Sequence, residues 1–465
     1  EEKPSQKVEK FPKVSVRKKK KIAETLVKQG SYYNASEYYE DVLKAKPDNI
    51  KVVHQLAEIN RSLRDYKLAE KYYALEIEKD KDKWPNDMFF LGQMQKMNGK
   101  YDDAKKTFQD YLKVKLDKDE KSYKSLAKTE IIGCDSSAAW LNNPYKIKVD
   151  HEEGIINNVL TDFAPKPLSG GRLLYSSLKS DTAINVTKSD HDYYAKLFMA
   201  TRDGKNWKDD TKFAYPPNDS KTHVGNGLLS ADENTLIYTK CDQTELVRMR
   251  CKLFRVTKQG SEWSNPEELK TLNTPTGTTT QPAFGVDKDG KDILYFVSDR
   301  GGKGGLDIFY AEVQDGGKFG PVKNAGSEIN TSGDEFSPYF DKTSKAFYFS
   351  SNGHPGLGGL DVFKANGAPE SWGIAYNMGA PVNSSCDDIY FILDDKGKRG
   401  YEVSNRPGTK TIRGETCCDD IWSVAVKEEV VLKGIFALRS DPTQTPVNGV
   451  EASLYKVDGK NFDFI

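Results

Sequence analysis

Three stretches near the N-terminus carry one pattern at a nearly constant interval. Gly30, Tyr32, Ala35, Tyr39, Leu43 and Pro47 return as Asp65, Tyr66, Ala69 and Tyr73, and again as Gly99, Tyr101, Ala104, Phe108 and Leu112. Ala35 and Ala69 are 34 residues apart, and Ala69 and Ala104 are 35. A period of that length holds two helices and their turns, with a small residue where the helices cross and an aromatic ring one turn later. Such a unit cannot bury its apolar face alone, so the copies must stack. The helical part is expected over residues 17–143, ending in a capping helix near 120–141 that Gly133 and the Asn142, Asn143, Pro144 breaker close.

The pattern is that of tetratricopeptide (TPR) helix pairs, which stack into a superhelix whose concave face grips a peptide or helix. Tyr33, Asn60, Arg64 and Gln95 are the candidate partner-binding residues of that face by their spacing. Residues 1–16, polar and charged with two prolines, read as a leader or tether.

After Pro144 the apolar period changes from 3.6 to 2 and glycine-rich turns multiply. A second repeat begins, with an apolar and aromatic strand at its centre: Leu173 to Ser177, Leu236 to Thr239, Leu294 to Arg300, Ala346 to Asn352 and, degenerate, Gly400 to Arg406. Gly304-Gly305-Leu306-Asp307-Ile308-Phe309 returns as Gly358-Gly359-Leu360-Asp361-Val362-Phe363 and weakly as Cys418 to Trp422. A closing pattern that ends in Asn covers Trp263 to Asn273, Phe319 to Asn330 and Trp372 to Asn383. The last unit lacks this outer strand, and Tyr145 to Val149 resembles one stranded at the front. Residues 144–428 therefore predict a propeller of five blades, with six the alternative count, closed by pairing the N-terminal strand onto the last blade. Residues 429–465 read as the start of a β-sandwich too short to complete a core, so the natural chain is expected to continue. The fold class is multidomain: an all-α superhelix, an all-β propeller and the beginning of a sandwich.

Composition narrows the function. Lys plus Arg and Asp plus Glu both number 69, so no net field draws the chain to nucleic acid or anionic lipid. No stretch approaches the roughly 20 apolar residues of a membrane-spanning helix. The six cysteines, Cys134, Cys241, Cys251, Cys386, Cys417 and Cys418, lack the spacing of a metal site and are read as disulfide candidates of an oxidising compartment. Cys241 and Cys251 fit a hairpin staple. Neighbouring cysteines seldom bridge to each other, so Cys417 and Cys418 are expected to have separate partners. One bond involving Cys134 or Cys386 is expected to tie the helices to the propeller.

Chemistry is sparse. Asp307, Asp361 and Asp299 recur with the blades, and repetition favours a turn-fixing role over paired acid-base carboxylates. Asp287 to Gly290 and Asp394 to Gly397 look like calcium loops, but Ser298 stands where the first would need its glutamate, so both are read as hairpins. Gly301 to Gly305 lacks the helix and the hydroxyl of a phosphate loop. The histidines at 54, 151, 191, 223 and 354 are scattered, and none completes a nucleophile or metal pattern. The basic run Arg17 to Lys21 reads as a solvated helix face. No catalytic residue, metal or cofactor is expected.

The serial order of these parts, the units at 298–309 and 350–363, and the string Cys417-Cys418-Asp419-Asp420-Ile421 resemble a Bacteroidetes family of outer-membrane-associated periplasmic proteins, from about Lys18 onward. These are the PorE-like, OmpA-related proteins of the type IX secretion system. The propeller units also resemble the WD40-like PD40 and TolB-type propellers, a broader match, and the C-terminal stretch resembles a carboxypeptidase-regulatory-like domain. The resemblance implies a periplasmic scaffold, partnered by a PorP or SprF type outer-membrane barrel of a secretion or gliding machine. It also implies attachment to peptidoglycan by an OmpA-like domain that this sequence does not contain. The alternative is a module that senses a glycan or peptide at the propeller mouth.

Overall fold

The computed structural model describes residues 14–118, 121–179, 194–204, 206–209, 222–245, 248–426, 455–458 and 461–464. The expected leader lies almost wholly outside them, as does His191.

Seven helices come first: α1 (Val16–Lys28), α2 (Tyr32–Ala45), α3 (Ile50–Ser62), α4 (Tyr66–Asp80), α5 (Asp87–Met97), α6 (Tyr101–Tyr111) and α7 (Lys124–Asn142). They pair as α1 with α2, α3 with α4 and α5 with α6, and α7 caps the last pair. The small residues of the repeat explain the pairing, since Ala23, Ala35, Ala57, Ala69 and Ala104 are fully buried and let backbones approach. Gly92 takes that place in α5, where an added methyl would sit 2.7 Å from the buried ring of Phe108. Tyr39, Tyr73 and Phe108 fill the space one turn beyond each alanine. Ser15 and Asp65 cap α1 and α4 by accepting the N–H of Lys18 and of Leu68.

Five antiparallel sheets follow, so five is the blade count among the described residues. Blade 1 is built from Asp162–Leu168, Arg172–Ser177, Lys196–Asp203 and Asn206–Asp209, and blade 2 from His223–Leu229, Thr235–Glu245, Arg248–Gln259 and two short outer strands. Blade 3 runs through Thr279–Val286, Asp292–Ser298 and Asp307–Gln314, and blade 4 through Glu335–Asp341, Ala346–Ser351 and Asp361–Asn366, each with short outer strands. Blade 5 has Asp388–Leu393, Arg399–Ser404 and Asp420–Val426, and its outer strand is Ile147–His151 from the front of the domain, register Ile147 to Val426. The ring is closed by its two chain ends.

The asparagine that ends each closing pattern has a physical role. Asn273, Asn330 and Asn383 each use the side-chain amide as a strand would, accepting the N–H and donating to the C=O of Leu253, Ile308 and Val362, at 2.7–3.1 Å. Asn157, just after the N-terminal strand, does the same for Ile421 in blade 5, at 2.7 and 2.8 Å. The recurrent aspartates brace turns as read: Asp307 accepts the N–H of Lys303 and Gly304, and Asp361 those of Leu357 and Gly358. Asp287 likewise accepts Asp289 and Lys291 N–H groups within a hairpin turn.

Helices and propeller, residues up to Val426, form one compact unit. Taken by itself, the second unit contains a strand pair, Tyr455–Asp458 with Asn461–Phe464; the expected start of a sandwich before it lies outside the described residues.

Candidate interaction site at the junction of helices and propeller

The turn inside each helix pair needs a residue in the left-handed region. Gly30 (φ 73°) and Gly99 (φ 75°) supply it in the first and third pairs, but the second uses Arg64 at φ 57°. A side chain in that conformation is strained by about 1–2 kcal/mol. The guanidinium accounts for its presence: Arg64 pairs with Asp419 and lies 3.8 Å from Asp387, both on the propeller. Its carbonyl accepts the hydroxyl of Thr416 at 2.5 Å. The neighbouring Tyr66 hydroxyl donates to Asp387 at 3.3 Å and accepts the amide of Asn405 at 2.7 Å.

Further contacts extend this joint. Ser385 donates to the carbonyl of Met97 at 3.0 Å, Lys67 pairs with Glu415 at 2.7 Å, and Arg413 reaches Glu37 and Glu40 at 3.4 and 3.8 Å. Gly133 of α7 lies backbone to backbone against Gly356 in blade 4, with no space for a methyl. Electrostatics follow from burial. The Asp419 carboxylate holds the Arg64 guanidinium charged, whereas burial lifts the Asp387 carboxyl above its ordinary range although Arg64 opposes it. Between the two parts lies a cleft of about 390 Å³, with Leu68, Met97 and Asn98 on the helical side and Cys386, Pro407 and Glu415 on the other.

The cysteine expectations need correction here. Cys241 and Cys251 are bridged across directly paired strands of blade 2. Cys417 and Cys418 are bridged to each other, not to separate partners. Cys134 and Cys386 are buried free thiols, lifted by burial to about 11 and about 12, so neither ties helices to propeller. Cys386 nonetheless packs into the apolar core of the helices. The joint is made by packing, ion pairs and hydrogen bonds because Arg64, Tyr66 and Met97 meet the loop before blade 5 and the loop carrying Cys417 directly.

The four candidate partner-binding residues are not gathered on one free face. Arg64 is spent on the propeller, a correction to its expected role, and Asn60 is 3% exposed with its amide donating to Leu56 C=O at 2.7 Å. Gln95, half-buried, accepts the Thr107 hydroxyl, and Tyr33, also half-buried, lies within the influence of Arg413 and Asp65.

Two features escaped sequence reasoning. The innermost strand of every blade bulges at a non-glycine residue of positive φ, Ala164, Asn226, Gln281, Ser337 and Tyr390, at 50–55°. These residues converge on one small cavity of about 10 Å³, where the Tyr390 hydroxyl donates to Asn226 at 2.7 Å and the Ser337 N–H donates to Gln281 at 2.6 Å. That space holds about one water and no sugar. The second is a cluster among the helices. His54 Nδ1 lies 3.2 Å from Glu76 and 2.8 Å from Asp87, and the ring of Trp84 stacks on the imidazole at 4.1 Å. The carboxylates raise the imidazole to about 9, against its desolvation, and burial lifts Glu76 to about 7.

Comparison with known proteins bears on the helical part. A family model described as tetratricopeptide repeat matches residues 21–49. A search of curated proteins finds no match. Among solved structures, MamA AMB-1 is 23% identical over 27% of this chain and 64% of its own, with a TM-score of 0.24. A protein of unknown function from Dyadobacter fermentans is 10% identical over 57% of this chain and 77% of its own, TM-score 0.34. An endo-arabinase from Bacteroides thetaiotaomicron is 13% identical over 60% and 99%, TM-score 0.37. This chain spans less than two thirds of the length of MamA, and at these scores none of the likenesses bears on function. The helices are of TPR type, and they are joined in one unit to a five-bladed β-propeller.

Proposed function

We propose that this chain is a non-enzymatic periplasmic scaffold that binds outer-membrane proteins of a type IX secretion or gliding machine, with a domain beyond it attaching to peptidoglycan. The observation that carries the reading is the junction. Two architectures that commonly serve as protein-binding surfaces are fastened through Arg64, Tyr66, Asp387, Asn405 and Asp419, so a partner meets one body. Bridged cysteines in blade 2 and in the loop before the third strand of blade 5 support an oxidising compartment. The TPR repeats support protein partners, and the resemblance of the propeller units supports the choice of envelope machine.

An apolar anchor is also available. Ile374 is 88% exposed, and Tyr376, two residues on, and Tyr145, which lies near Tyr376, are 38% and 41% exposed. Interfaces draw most of their energy from a few such groups. The test is to immobilise the wild-type chain and an Ile374→Asp variant and to pass over both a detergent extract of the native envelope. An outer-membrane barrel or secretion component retained by the wild type and depleted on the variant is expected. Retention of only a glycan or a small peptide would overturn the scaffold in favour of a sensor.

A further inference from the structure

We propose that His54, Glu76 and Asp87 form a binding site for one divalent transition metal of the Zn2+ class, pinning the second helix pair to the third. The three residues come from α3, α4 and the first turn of α5, and their donor atoms all lie within 4.8 Å of one another. Zn2+ bonds to imidazole nitrogen and carboxylate oxygen at about 2.0–2.2 Å, which in tetrahedral geometry sets neighbouring ligand atoms about 3.4 Å apart. The two separations from Nδ1, 3.2 and 2.8 Å, are each within about 0.6 Å of that.

Charge argues in the same direction. Glu76 is 1% exposed and Asp87 4%, and among the described residues neither makes an ion pair with a lysine or arginine. The nearest arginine on the same helix as His54, Arg61, is committed to Glu58 and to the Tyr73 hydroxyl. Two buried carboxylates face one imidazole with no lysine or arginine paired to either among the described residues, so the cluster holds no permanent cation, and buried carboxylates without one are unfavourable. A divalent ion with two carboxylates and a neutral imidazole is balanced. One nitrogen and two oxygens suit a metal of borderline softness better than Mg2+ or Ca2+, which favour all-oxygen sets. Trp84, stacked on His54 with an interplanar angle of 2°, holds the ring in place and covers one face. Three protein ligands leave a fourth position for water.

The alternative for the same geometry is a proton, with His54 as an imidazolium clamped by two carboxylates, and the experiment separates the two. The full chain, stripped of metal by a chelator and dialysed, is titrated with Zn2+ by calorimetry and with Co2+ by absorption. One equivalent of each is expected, with the weak visible bands of nitrogen and oxygen ligation and no thiolate charge-transfer band. Glu76→Gln and Asp87→Asn, which keep side-chain volume, are expected to weaken binding by roughly 10–100-fold or more. Far-ultraviolet circular dichroism confirms that each variant is folded, and zinc is expected to raise the thermal midpoint of the wild type but not of either variant. No saturable equivalent on the wild type overturns the proposal, as does unchanged binding in folded variants. A thiolate band would also overturn it, by assigning the metal to Cys134 or Cys386.

Discussion

Replacing Arg64 by glycine sets two opposed effects against each other. The turn conformation favours glycine, as Gly30 and Gly99 demonstrate at the same place in the other pairs, so the substitution relieves about 1–2 kcal/mol of backbone strain. Against that, it strips the cationic partner from Asp419 and Asp387, whose side chains are only 8% and 13% exposed. Removing one partner of a buried pair costs about 3–5 kcal/mol, and the one-third exposure of the Arg64 side chain itself argues for the lower end. The balance is a loss of about 2 kcal/mol. Urea unfolding of wild type, Arg64→Gly and Arg64→Gly combined with Asp419→Asn is the assay, with limited proteolysis around residues 143–146 reporting on the joint. The single variant is expected to be less stable and more readily cut, and neutralising Asp419 is expected to restore much of the loss. An Arg64→Gly protein as stable as the wild type, or more so, would refute the reasoning, because strain relief alone would then decide the outcome.

Three other outcomes are expected. Gly92→Ala gains about 1 kcal/mol of helix propensity but drives a methyl into the immobile ring of Phe108, so a net loss of about 1–2 kcal/mol in thermal or urea unfolding is expected. Asn330→Ala leaves the N–H of Ile308 without a partner in a buried strand, while its C=O keeps the N–H of Ala325; the expected cost is about 1–3 kcal/mol, with faster amide exchange at Ile308 as the local readout. Glu335, fully buried and with Asp307 nearby, has its carboxyl lifted by burial from 4.5 to about 7 although Thr331 and Ser351 donate to it. The folded state then holds the proton more tightly than the unfolded chain, so this stability is present below pH about 4.5 and is lost as pH rises through about 7. Urea midpoints at pH 5 and 8 are expected to fall more for the wild type than for Glu335→Gln, by up to about 3 kcal/mol.

Much of the fold was legible because it repeats. The alanine and aromatic spacing located the helix pairs, and the recurrent Leu-Asp-Ile-Phe unit located the blades. The lone outer strand before Asp162 betrayed the closure, since a ring short of one outer strand must take it from the other chain end. What could not be read depends on contacts between distant residues. Arg64 and Asp419 are 355 residues apart, and no periodicity links them. A signal was nonetheless present: Arg64 stands where two repeats have glycine, and a charged residue in a glycine position calls for a partner. His54, Glu76 and Asp87 were invisible for a related reason, since each belongs to a different helix and only stacking brings them together. Adjacent Cys417 and Cys418 were expected to diverge on general geometric grounds that their loop does not obey.

The central claim is that helices and propeller meet a partner as one rigid body. Electron–electron spin resonance between labels carried on non-natural amino acids, one replacing exposed Lys51 in α3 and one replacing exposed Lys318 in blade 3, tests it while leaving every native cysteine untouched. A single narrow distance distribution, broadened when Arg64 is replaced by glycine, is the expected result. A broad distribution in the wild type would contradict the account.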